Sequence, residues 1–187
     1  MLKFAILGFL NYQSLSGYDL KRQLQASTAH FWHAGLNQVY MTLKNLESDG
    51  LVISELQEQE KRPDKRIYTI TENGSAELQT WLAEPVTQVE PGKSTLLLKL
   101  FFARPAGKAA ILAQLQVQLA AHQRQAREYT GTMPVEAREM LASQPELGDD
   151  SILWGIVRDF GARYEAMMIA WLEESLRTIE THFPEDV

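Results

Sequence analysis

Apolar positions along the chain repeat first at helical spacing, then alternate, then return to helical spacing. Leu2 to about Leu10 is almost wholly apolar, which predicts a first helix buried on several sides. Ser16 stands three residues before Asp19, the serine-x-x-acid pattern that satisfies the free N–H groups at a helix start. Leu20, Leu24 and Ser27 then share one face of a short amphipathic helix whose other sides carry Lys21, Arg22, Gln23 and Gln25. After a loop around His30 to Gly35, Val39, Leu43 and Leu46 form the stripe of a third helix. Its other face presents Asn37, Gln38, Met41, Lys44 and Asn45, with Tyr40 beside the stripe. Asp49-Gly50 ends it, glycine being suited to the left-handed position past a helix C-terminus.

From Leu51 to Leu56, and again from Arg66 to Ile70, the pattern is that of strands, and Pro63-Asp64 supplies a turn between them. Thr71 is placed to cap a fourth helix that reaches Trp81 and Leu82. Residues 86–92 are linker-like and bounded by Pro85 and Pro91. The remainder is helical: a short apolar segment from Ser94 to Phe102, then a long helix with Pro105 in its first turn. A short helix over Pro134 to Ser143 and a polar, acidic turn from Gln144 to Asp150 lead to a last helix from Ser151 to about His182. In the long helix Leu112, Leu115, Leu119, His122, Ala126 and Tyr129 make a narrow seam. In the last, Ile152, Ile156, Phe160, Met167 and Trp171 line one side, and Leu153, Val157, Tyr164, Met168 and Leu172 the adjacent one. An apolar face that broad needs more than one covering neighbour, and a second subunit is the simplest source.

The fold class expected is mainly α with a small β-hairpin: a winged helix-turn-helix over 1–85, a linker over 86–92, and a helical dimerisation domain over 93–187. The chain has 187 residues, enough for one domain or two small ones, and 45% apolar content suits a folded protein. The run Phe4 to Leu10 is too short to span a bilayer, so no membrane association is expected and the location expected is cytoplasmic. Without cysteine there are no disulfides, thiol nucleophiles or thiolate-bound zinc. The formal charge of -6 is unfavourable for a partner made of phosphates, so the basic residues must be gathered on one surface.

Three helices followed by a hairpin with a basic tip suit a DNA reader. The major groove admits one α-helix, and residues near its N-terminus reach base edges. Asn37, Gln38, Tyr40, Met41, Lys44 and Asn45 hold that position, while Lys61, Arg62, Lys65 and Arg66 on the hairpin are expected at the adjoining backbone or minor groove.

Several separated segments together resemble the PadR family of bacterial regulators. They are Ser16-Gly17-Tyr18-Asp19-Leu20-Lys21, Phe31-Trp32, Gln38-Val39-Tyr40, Leu43, Leu46-Glu47, Gly50-Leu51-Val52, the run Lys65 to Gly74, and Trp81-Leu82. The second half, through Leu98 to Phe102 and Trp171-Leu172-Glu173, is similar to the helical C-terminal domain of the family's longer, virulence-activator-type subgroup. The resemblance implies transcription regulation by a homodimer on a palindromic operator in double-stranded DNA. It implies repression in most members, lifted in some by phenolic acids or multidrug compounds. Gly35 and Met41 depart from the serine and proline the family often carries there, so the operator sequence does not transfer.

Plainer readings compete at several positions. Tyr18 and Tyr68 are expected in the core, Tyr40 on the groove side. His30 and His33 have a spacing found in metal sites but no third ligand near them, and no metal or other cofactor is expected. Leu112, Leu115, Leu119, Trp154, Phe160, Tyr164, Met167, Met168 and Trp171 make either a dimer core or a pocket for a small aromatic effector, and the two are compatible. No catalytic constellation can be assembled, so an enzyme is not expected. The acidic balance favours one alternative from another class: a winged-helix interaction module that does not bind DNA.

Overall fold

The computed structural model describes residues 1–27, 35–58, 65–88, 92–130, 142 and 147–184. The chain forms two compact units, Met1–Glu90 and Pro91–Val187.

In the first unit, α1 (Leu2–Tyr12), α2 (Gly17–Ser27) and α3 (Leu36–Ser48) precede β2 (Val52–Gln57), β3 (Lys65–Ile70) and α4 (Glu72–Ala83). A further strand, β1 (Leu15–Ser16), joins α1 to α2 and pairs antiparallel with β3, so the hairpin is part of a three-stranded sheet of order β1-β3-β2. Two residues are too few to show alternation, so this strand leaves no sequence signal. In the hairpin Val52 faces Ile70 and Gln57 faces Lys65.

The helical stripes meet as their spacing predicts. Ile6, Leu7 and Leu10 of α1, Leu20 and Leu24 of α2, and Val39, Leu43 and Leu46 of α3 form one core with Val52, Tyr68 and Leu78. Phe4 stacks on Trp81 at 4.5 Å, and Lys3 pairs with Glu77, which together lay α1 along α4. Gly50 takes φ 71 past the end of α3. Thr71 caps α4, accepting from the Gly74 N–H at 3.1 Å while donating to the Gly50 carbonyl at 2.8 Å. Tyr68 is buried as expected, but Tyr18 is 62% exposed. It stands two positions before Leu20, about 200° round the helix, and so points away from the buried stripe.

The second unit contains α5 (Thr95–Phe101), a 3₁₀ turn (Arg104–Ala106), α6 (Lys108–Thr130) and α7 (Gly148–His182). Pro105 belongs to the 3₁₀ turn and not to the long helix, because Gly107 at φ 81 separates the two. The last helix starts earlier than Ser151, taking Asp149 and Asp150 into its first turn. Carboxylates are favourable there, beside the free N–H groups. The expected helix over Pro134 to Ser143 lies outside the described residues, apart from Ala142.

Helices α6 and α7 run antiparallel. Lys108 reaches the Glu180 carbonyl, His122 meets Glu165, and Arg158 donates to the Glu128 and Tyr129 carbonyls at the end of α6. Their core joins Leu96, Ile111, Leu115 and Leu172, with Leu119, Met168 and Trp171 at its margin. Among the described residues no helix is long and apolar enough to cross a membrane.

Candidate nucleic-acid interface

The outer face of α3 is open. Asn37, Gln38, Lys44 and Asn45 are exposed, and so are Tyr40 (45%) and Met41 (61%). Burial of Val39, Leu43 and Leu46 in the core turns these six side chains outward together. Gln38 also has a local task. Gly35, at the N-cap, has no side chain to cap the helix, and the Gln38 Oε1 accepts the Gly35 N–H at 2.9 Å. This is half of a capping box, and it holds Gln38 near the helix start. Tyr40 leans over Gly17, where an added Cβ would fall 2.5 Å from its ring. The open face of α3 is thus registered against the start of α2.

Of the hairpin cations, Lys61 and Arg62 lie outside the described residues, as do His30 and His33. Lys65 and Arg66 are held by acids. Lys65 Nζ stands 2.6 Å from Asp19 Oδ2 on α2, and Arg66 lies 3.7 Å from Glu47 Oε2 on α3. Burial would push the Asp19 carboxyl up, but hydrogen bonds from Lys65 and Ser16, with the charges of Lys65 and Arg22, hold it below the usual aspartate value. Neither unit as a whole is basic. The first carries eight Lys and Arg against eleven Asp and Glu. Lys44, on the open face, has no acid partner among the described residues.

Sequence reading missed Asp19 and Glu47 as partners of the hairpin. Both belong to recognisable segments, Ser16 to Asp19 and Leu46-Glu47, but their pairing joins positions far apart in sequence.

The nine apolar candidates of the second unit divide. Leu115 is fully buried within this chain's own core, and Leu119, Met168 and Trp171 pack at its edge. Leu112 and Trp154 are half-buried. Phe160 (61%), Tyr164 (42%) and Met167 (53%) are exposed, continuing a row from Ile152, Leu153, Ile156 and Val157. Among the described residues no group of three His, Cys, Asp or Glu side chains is placed to hold a metal.

Comparison with known proteins finds relatives of both units. Residues 6–80 match the model of the transcriptional regulator PadR-like family, and residues 93–180 that of the virulence activator alpha C-terminal domain. A probable transcriptional regulator of Mycobacterium tuberculosis is 32% identical, over 96% of this chain and 97% of its own. The chain belongs to the PadR family of transcriptional regulators. The negative transcriptional regulator PadR of Bacillus subtilis is 28% identical, over 96% of this chain and 98% of its own length. Its crystal structure in complex with operator DNA superposes at a TM-score of 0.77, covering 95% of this chain and 98% of that one. Its complex with p-coumaric acid superposes at 0.69, with 27% identity, covering 96% and 98%. PadR-like proteins are DNA-binding regulators and not enzymes. In that setting the open face of α3 is the winged unit's candidate reading surface.

Proposed function

We propose that the chain is a homodimeric repressor that binds a palindromic operator and is released by a small aromatic effector. The open polar face of α3 carries the reading. Residues 1–85 act as the DNA-binding domain, 86–92 as linker and 93–187 as the dimerisation domain. Asn37, Gln38, Tyr40, Met41, Lys44 and Asn45 meet the major groove, where Asn and Gln suit adenine and Lys suits guanine or phosphate. Lys61, Arg62, Lys65 and Arg66 are the cations of the wing. In a two-fold dimer the two α3 helices enter successive major grooves about one helical turn apart. The protein works where DNA is, in the cytoplasm. The Bacillus subtilis relative, a negative regulator with structures bound to operator DNA and to p-coumaric acid, supports both the repression and the class of effector. Phe160, Tyr164 and Met167 of α7 are candidates for contact with such a flat molecule. An effector that changes the angle between the wings spoils the groove spacing and lowers affinity.

The acidic balance of the winged unit favours one competing reading, an interaction module without DNA binding. A gel-shift titration on the promoter region beside the protein's own gene separates them. Lys44→Ala should weaken specific binding about tenfold and Tyr40→Phe less, with the dimer intact, as for loss of single base or phosphate contacts worth about 1–3 kcal/mol. Equal affinity for that promoter and for a scrambled duplex would defeat the proposal.

A further inference from the structure

The wing's base is held from both flanks. Strand β3 is central in the sheet, and its first two residues, Lys65 and Arg66, open it at the end nearest the hairpin tip. From the β1 side, Asp19 of α2 pairs with Lys65 at 2.6 Å. The Asp19 carboxylate is itself fixed: it accepts from the Ser16 hydroxyl at 2.7 Å, while its own N–H donates to Ser16 Oγ at 3.2 Å. From the β2 side, Glu47 near the end of α3 takes the Ser54 hydroxyl on one oxygen and faces Arg66 with the other. Arg66 also donates to Ser54 Oγ at 3.3 Å, which closes a triangle over α3, β2 and β3. Both helices of the helix-turn-helix are therefore tied to the strand that carries the wing.

We propose that Asp19 and Glu47 are positioning residues that fasten the wing to α2 and α3 through Lys65 and Arg66, and that these two cations orient the wing instead of meeting phosphate. This rests on the DNA-binding reading and divides the wing's cations into two jobs. A cation already compensated by a carboxylate adds little net attraction for DNA. Moving Lys65 to a phosphate strands a carboxylate that is only 21% exposed, and the anion it gains replaces the anion it leaves. Counterion release, the main electrostatic gain on binding a duplex, then falls to Lys44 and the cations at the tip.

The sign of the effect of removing an acid separates this from masking. If Asp19 and Glu47 merely mask phosphate-binding cations, Asp19→Asn and Glu47→Gln tighten DNA binding and steepen its salt dependence, by about 0.9 in log–log slope each. If they fasten the wing, both variants weaken binding about two- to fivefold, the scale of a partly exposed ion pair, with the slope unchanged. Fluorescence anisotropy with the full chain, on a labelled duplex from upstream of its own gene and on a scrambled duplex, reads both quantities across a salt series.

Lys65→Gln and Arg66→Gln are expected to behave like the acid variants. The exchange Asp19→Lys with Lys65→Asp is expected to recover part of the lost affinity, which also covers the case of one single variant folding poorly. Tighter binding, unchanged affinity, or a slope reduced by about one in Lys65→Gln would each overturn the proposal. Absence of salt-dependent binding by the wild-type protein on both duplexes defeats instead the DNA-binding reading. Fastening is then judged by hydrogen exchange: faster exchange of the β3 amides in Asp19→Asn supports it, and unchanged exchange sinks it.

Discussion

At Gly17 and Gly74 the chain has no room for a methyl group, yet the two obstacles differ in kind. A Cβ at Gly74 would fall 2.1 Å from the Leu51 carbonyl oxygen, which accepts the Thr71 N–H at 3.0 Å in the turn leading into α4. Backbone there cannot yield without disturbing that turn. A Cβ at Gly17 meets the ring of Tyr40, a half-exposed side chain free to swing outward. Alanine gains up to about 1 kcal/mol of helix propensity over glycine, which offsets the smaller clash but not the larger. Gly74→Ala is therefore expected to lose about 3 kcal/mol in urea unfolding, and Gly17→Ala about 1 kcal/mol or less. Gly17→Ala should instead show itself in DNA affinity, because the displaced ring lies on the proposed reading face. The reverse ranking in unfolding midpoints would sink the argument.

Elements whose signal is burial were legible in the sequence, and those whose signal is a tertiary partner were not. The stripes of α1, α2 and α3, the caps at Ser16 and Thr71, and the turn at Gly50 all reflect local spacing or local hydrogen bonds. The open face of α3 follows from the same periodicity. The two-residue β1, the acids that hold Lys65 and Arg66, and the return of Gln38 onto Gly35 depend on distant strands or on a cap without a side chain. His122 and Glu165 are a further case. His122 reads as one more member of the long helix's seam and nothing in the sequence singles out Glu165, but together they form a 2.6 Å pair inside the α6–α7 contact, with Glu165 only 4% exposed. Breaking a buried pair from one side leaves the other group desolvated. His122→Ala is expected to cost on the order of 3 kcal/mol, and an apolar replacement of both residues much less. Additive losses in that double-mutant cycle would count against it. Asp19 makes a pH-dependent contribution in the first unit, where α2 meets the wing strand. Its carboxyl is held below the ordinary value, so its share of stability is present at neutral pH and fades as pH falls through the lowered value. The melting temperature of Asp19→Asn should thus fall less steeply than that of the wild type from about pH 6 to about pH 3.

For the whole molecule the deciding feature is the length of α7. Its 35 residues span about 52 Å, against about 35 Å for the 23 residues of α6. Because Lys108 lies by Glu180 and Tyr129 by Gly161, the first turns of α7 run past the last residue of α6. Ile152 (64%), Leu153 (60%), Ile156 (62%) and Val157 (40%) stand on that overhang, and Phe160, Tyr164 and Met167 continue the exposed row. Covering the exposed part of seven such side chains is worth about 1–2 kcal/mol each, or on the order of 10 kcal/mol per copy. That is comparable with the 4–15 kcal/mol or so that association costs in lost freedom, so two copies burying the row together come out favourable. The wild-type protein should then show a melting temperature that rises with protein concentration. Ile156→Glu with Phe160→Glu should remove that dependence, give a monomer in sedimentation, and abolish high-affinity binding to a two-half-site duplex while leaving single-half-site binding in place. A double variant that still sediments as a dimer would move the interface away from α7.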